Sequence, residues 1–74
     1  MQITVKLFAT LREGRFKVST LEVDAGTTVE QVAKQLDVPR EEMALILVNG
    51  RDAELDYAFN EGDTLSLFPP VGGG

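Results

Sequence analysis

Residues 27–39 read TTVEQVAKQLDVP, and the number of such stretches in the chain decides its fold. Val29, Val32, Ala33 and Leu36 fall at i, i+3, i+4 and i+7, a single apolar stripe along one helix face. Thr27…Glu30 and Thr28…Gln31 both have capping-box spacing, so either threonine can start the helix. Glu30 precedes Lys34 by one turn, the favourable order for an ion pair. Pro39 drives Val38 out of helical geometry and ends the helix near Asp37. No other segment repeats the pattern; PREEM (39–43) offers a single further turn.

The segments around this helix have the period of strands. QITVKLF (2–8) alternates, with Ile3, Val5 and Leu7 in one phase and Gln2, Thr4, Lys6 and Phe8 in the other. ATLREG (9–14) breaks the alternation, and Gly14 permits a turn. RFKVSTLEV (15–23) is a second strand with a conflict: Phe16 and Val18 share one phase, Leu21 and Val23 the opposite one. One register cannot bury all four, which predicts a bulge near Ser19–Thr20 or burial of the second half alone. ALILV (44–48) reads as a buried strand, and Asn49–Gly50 is a strong hairpin signal. A short return strand within RDAEL (51–55) follows. DYAFNEGD (56–63) is an irregular connection whose Tyr57 and Phe59 read as anchors of a small core. TLSLF (64–68) is the last strand, with Leu65 and Leu67 in one phase and Thr64, Ser66 and Phe68 in the other.

The order is strand, strand, helix, strand, short strand, strand. One helix must cover one face of one mixed sheet, an α+β architecture. This is the order of a β-grasp, the ubiquitin-like roll. A ferredoxin-like βαββαβ arrangement needs a second full helix that the chain does not offer. In a β-grasp the first and last strands are central, parallel neighbours. Phe8 and Phe68 are each out of phase with the inward residues of their strand, and each sits at its C-terminal end. They are therefore expected together on the uncovered face, as a binding patch beside the point where the tail leaves.

Composition narrows the chemistry. At 74 residues the chain is one domain near the lower size limit for independent folding. It has no Cys and no His, so disulfides, a zinc site and Ser–His or Cys–His nucleophile pairs are not expected. The net charge of −5 argues against a nucleic-acid partner. That charge is uneven: residues 1–40 carry a net +1, and residues 41–74 a net −6. The acidic half reads as a solvated face that aids solubility, or as a docking surface for a basic partner. No apolar run has the length of a membrane span and no signal segment opens the chain, so the expected compartment is cytoplasmic and no membrane partner is expected.

The end, FPPVGGG (68–74), leaves residues 1–68 as the folded domain and 69–74 as an extended tail. Pro69 and Pro70 have no N–H with which to extend a sheet, and they favour a stiff exit. Beyond Val71, Gly72, Gly73 and Gly74 have no Cβ, so they can thread a channel too narrow for other residues. They deliver one reactive group, the Gly74 carboxylate. On the residues alone, a terminal Gly run fits a frayed end or a linker as well as a working end.

Together, LFATLRE (7–13), the capped helix, VNG (48–50), EGD (61–63) and FPPVGGG resemble the small subunit of molybdopterin synthase, the MoaD-like family. The similarity spans essentially the whole chain, and the ending is its most specific part. The residue before the final Gly pair is itself glycine, Gly72, which departs from the family pattern without blocking threading. The resemblance implies a ubiquitin-like sulfur carrier that is not an enzyme by itself and binds no cofactor. An E1-like adenylyltransferase would use ATP to adenylate Gly74, and a sulfur-donating enzyme would supply the atom for a thiocarboxylate. The tail would enter the large subunit of molybdopterin synthase and give its sulfur to a cyclic pyranopterin phosphate. Gly73 would complete the required pair, and Phe8, Phe68 and the tail residues 69–72 would contact the partner. The family also suggests a heterotetramer, with two small subunits flanking a dimer of large ones. Sulfur carriage for thiamine or tRNA thiolation, and isopeptide attachment to protein lysines, are the alternatives on the same scaffold.

Overall fold

The computed structural model describes residues 1–71, and the only α-helix among them, α1, spans Val29–Gln35. Of the two candidate threonines, Thr28 is the N-cap. Its hydroxyl accepts from the Gln31 N–H at 3.3 Å, and the Gln31 side-chain oxygen accepts from the Thr28 N–H at 2.9 Å. Val29, Val32 and Ala33 are buried, and Leu36 packs half-buried against the same core. The helix stops earlier than Pro39 alone requires, because Asp37 takes a left-handed φ of 62°. Its N–H bonds to Lys34 O at 3.1 Å, and the Val38 N–H bonds to Ala33 O at 2.9 Å, a Schellman closure. Arg15 completes this end by donating to Leu36 O at 2.9 Å and Asp37 O at 2.6 Å, and ties it to the 9–12 segment by donating to Leu11 O at 3.1 Å. A cation there also favours the negative end of the helix dipole.

Five strands form one mixed sheet: β1 (Gln2–Leu7), β2 (Val18–Glu22), β3 (Leu45–Val48), β4 (Arg51–Asp52) and β5 (Thr64–Phe68). Their spatial order is β2-β1-β5-β3-β4, with β1 and β5 parallel at the centre and the other pairs antiparallel. Ile3, Val5, Leu7, Leu65 and Leu67 are essentially inaccessible and face α1. This is the β-grasp expected from the element order. No helix among the described residues is long and apolar enough to cross a membrane.

The conflict in the second strand resolves without a bulge. β2 pairs with β1 in unbroken register from Gln2↔Glu22 to Lys6↔Val18. Only the second half is inward, with Leu21 half-buried and Val23 buried, whereas Val18 is 52% exposed. Phe16 lies before the strand, so it reaches the core without sharing β2's alternation.

The third strand is not wholly buried. Leu45 and Leu47 pair with Phe68 and Ser66 on the outer face, and Leu45 is 40% exposed. Asn49 (φ 54°) and Gly50 (φ 81°) make the expected primed hairpin turn. The return strand shrinks to Arg51–Asp52, because the chain then turns toward the helix start. There Leu55 O and Tyr57 O accept the N–H groups of Glu30 and Val29 at 2.9 and 3.0 Å, donors that the helix itself leaves free. PREEM contributes one 3-10 turn, Arg40–Glu42.

One buried carboxylate ties the loops together. Asp63 accepts from Asn49 Nδ2 at 2.8 Å, the Tyr57 hydroxyl at 2.7 Å and the Asn60 N–H at 2.9 Å. Burial pushes its carboxyl up, but the Asn60, Tyr57 and Asn49 hydrogen bonds outweigh that and hold it below the ordinary 3.8. Phe59 is buried and meets the half-buried Tyr57 ring edge-on at 5.7 Å, so both anchor the small core under this loop.

Candidate functional site

The parallel pairing of β1 with β5 decides where the two aromatic rings lie. The register runs Thr4↔Thr64 to Leu7↔Leu67, and the Phe8 N–H continues it by bonding Leu67 O at 3.2 Å. Phe8 and Phe68 are thus brought level at the same end of the sheet. Both alternate outward from inaccessible neighbours, Leu7 and Leu67, onto the face opposite α1. The rings stack with centroids 4.2 Å apart and planes 11° from parallel, and both stay half-buried rather than covered. The two rings thus lie together on the uncovered face, as their phases predict.

Three residues that sequence reasoning missed complete the cluster. Leu45 lies beside Phe68 across the β3–β5 ladder, on the same face. Its signal was hidden because ALILV is apolar in both phases, so no alternation marked an outward side. Arg12 lies with its guanidinium carbon 5.5 Å from the Phe8 ring centre while its Nε donates to Leu7 O at 2.7 Å. The cation is within reach of the quadrupole of the Phe8 ring, which itself stacks on Phe68. Ala9 makes this possible with a φ of 53°, the left-handed region that an alanine seldom adopts. That reversal starts the 3-10 turn Ala9–Arg12, which returns Arg12 over the strand it follows.

The tail begins where the patch ends. Phe68 O accepts the Ala44 N–H at 2.9 Å, closing the β3–β5 ladder, and Pro69 offers no N–H to continue it. Pro69 is half-buried, Pro70 is exposed, and Val71 is 96% exposed. Gly72, Gly73 and Gly74, the residues expected to carry the chemistry, lie outside the described residues. Among the described residues no three His, Cys, Asp or Glu side chains converge as metal ligands. The described site has the makings of a docking surface: an apolar stacked core, the Arg12 cation against it, and a chain exit at its edge.

Comparison with known proteins agrees with this geometry. The family model described as the ThiS family matches residues 5–74. The structure of SAMP1 from Haloferax volcanii is similar at 30% identity, covering 100% of both chains with a TM-score of 0.78. A putative molybdopterin converting factor subunit 1 from Pyrococcus furiosus is similar at 26% identity, covering 96% of this chain and 99% of that one, with a TM-score of 0.77. A complex of subunits 1 and 2 of molybdopterin-converting factor from Helicobacter pylori holds a chain 21% identical, covering 100% of both chains at a TM-score of 0.69, a likeness of fold. No curated protein sequence matches the chain. The match over residues 5–74, with the β-grasp sheet that the solved structures share, shows that this chain belongs to the ThiS family and has the fold of the ubiquitin-like sulfur carriers.

Proposed function

We propose that this chain is the sulfur-carrying small subunit of a molybdopterin synthase. The observation that carries the reading is the stacked Phe8–Phe68 pair at the root of the tail, on the sheet face that the helix leaves uncovered. A partner that grips this patch receives the next residues of the chain at a fixed place. The tail 69–74 then needs only to be extended for Gly74 to reach an active site in that partner. The Pyrococcus furiosus and Helicobacter pylori proteins, named as subunit 1 of a molybdopterin converting factor, support the assignment, and the second is held in a complex with its subunit 2.

The chemistry divides between this chain and its partners. A carboxylate is a poor electrophile until one oxygen becomes a good leaving group. The Gly74 carboxylate oxygen attacks the α-phosphorus of ATP in an E1-like enzyme, releasing pyrophosphate and leaving an acyl adenylate. A sulfur donor at the sulfide level of oxidation displaces AMP, so one C–O bond breaks and one C–S bond forms. The resulting thiocarboxylate enters the large subunit and gives its sulfur to a cyclic pyranopterin phosphate. This chain supplies the carrier atom and the docking patch, while the partners supply nucleotide binding and the groups that act on substrate.

A second reading has its own support. SAMP1 from Haloferax volcanii is 30% identical over the whole chain, and a second structure, named H. volcanii small archaeal modifier protein 1, is 31% identical over 95% of it. The same Gly74 adenylate attacked by a lysine amine gives an isopeptide rather than a thiocarboxylate. Complementation of a strain lacking the synthase small subunit tests the first reading, and restored molybdopterin is the expected result. Failure to complement, with adducts that survive a denaturing gel, would transfer the assignment to the modifier.

A further inference from the structure

A groove opens on the helix side of the sheet, on the other face from the aromatic patch. Half-buried Met43, Ile46 and Leu55 form its floor, and its volume is about 670 Å³. Its walls are the first turn of α1, the Arg40–Glu42 turn and the segment 54–56. The walls are held by backbone hydrogen bonds: Glu30 N–H to Leu55 O at 2.9 Å, Ala53 N–H to Ile46 O at 3.0 Å and Tyr57 N–H to Glu54 O at 3.1 Å. The groove is therefore built into the fold and does not wait for a ligand to form it.

Its rim is charged with a definite sense. Glu30, Glu54 and Asp56 are exposed along it, and among the described residues none has a cationic partner within 4.0 Å. The apolar floor continues past Val38 and Pro39, where Lys34 and Arg40 border it. Arg40 lines the groove as well, so its rim carries three carboxylates against one guanidinium.

We propose that this groove is a second docking site, for a basic amphipathic helix of a protein partner. The floor asks for apolar anchors spaced a helical turn apart, and the unpaired carboxylates ask for lysine or arginine beside them. An extended strand fits less well. The Ile46 and Leu55 carbonyls and the Glu30 and Ala53 N–H groups are already engaged, so recognition must run through side chains. A small molecule fits less well too, since a groove open along its length leaves most of it in water. Because the sheet separates the two sites, this helix can bind while the Phe8–Phe68 face is occupied. The inference stands independently of the sulfur-carrier reading.

The test titrates a designed leucine/lysine amphipathic peptide of about 14 residues, roughly four helical turns, into the ¹⁵N-labelled full-length chain. Saturable shifts should cluster at Glu30, Met43, Ile46, Leu55 and Asp56, and leave Phe8 and Phe68 unmoved. The double variant Glu54→Lys/Asp56→Lys changes only exposed residues and should weaken the peptide at least tenfold. Phe68→Ala should leave its affinity unchanged. Equal binding of a scrambled peptide of the same composition would overturn the proposal, since charge alone would then suffice. Shifts centred on the aromatic face, or none, would overturn it as well.

Discussion

Replacing Phe68 by Ala separates docking from folding. Phe68 stacks on Phe8 at 4.2 Å, yet it lies on the outer face and remains half-buried. The core on the other face, with Leu65 and Leu67 inaccessible, does not touch the removed ring. The variant loses a stacked pair, about 0.5–1.5 kcal/mol beyond its area burial, and part of one ring's burial. A total of roughly 1–2 kcal/mol is expected, and each 1 kcal/mol lowers the melting temperature of a domain this size by about 4–8 °C. An aromatic at the centre of an interface contributes ~2 kcal/mol or more, and every 1.4 kcal/mol is about tenfold in affinity. Calorimetric titration against the large synthase subunit should therefore show at least tenfold weaker binding by a folded variant. Thr20→Ala, on the same face but away from the patch, should bind as the parent does. Wild-type affinity for folded Phe68→Ala would refute the docking argument. Should that variant melt too early to titrate, Leu45→Glu puts a charge beside Phe68 and must weaken binding in its place.

Three other perturbations test the scaffold around the site. Asp63, held below its ordinary 3.8 in the folded chain, contributes stability that is present above that value and lost as pH falls through the lower folded one. Asp63→Asn should flatten the acid limb of a denaturation series and cost about 1–3 kcal/mol at neutral pH; an unchanged acid limb would contradict this. Arg15→Ala removes two carbonyl contacts at the helix end and one to the Ala9–Arg12 turn and should cost ~1–2 kcal/mol, with Arg15→Lys a poor rescue because one ammonium cannot span them; an unaltered melting temperature for Arg15→Ala would contradict it. Ala9→Gly relieves a left-handed backbone strain of about 1–2 kcal/mol, partly offset by a freer unfolded chain at ~0.4–1 kcal/mol. It should raise the melting temperature, and a clear fall would show that Ala9 is not strained.

The sequence discloses what depends on local chemistry and conceals what depends on distant partners. The α1 stripe, its capping box and the Asn49–Gly50 turn are short-range patterns, and each forms. The aromatic pair was also legible, because parity along β1 and β5 puts Phe8 and Phe68 out of phase with buried neighbours. Parity failed at Leu45, which sits in a run apolar in both phases; at β2 it showed the conflict, and the register with β1 decided for burial of the second half. Arg15 at the helix end and Asp63 among Asn49, Asn60 and Tyr57 join residues far apart in the chain, or separated by a loop of no regular pattern. Arg12 over Phe8 depends on the left-handed turn at Ala9, a conformation that alanine does not announce.

The central claim is that Gly74 carries sulfur, and intact-mass spectrometry tests it most directly. The chain is incubated with an E1-like adenylyltransferase, ATP and a sulfur donor. A mass gain equal to the difference between one sulfur and one oxygen, located at the C-terminus, is expected. No gain is expected for a chain lacking Gly73 and Gly74 that melts as the full chain does. An unchanged mass in the presence of a demonstrably active adenylyltransferase, or molybdopterin formed with the truncated chain, would contradict it.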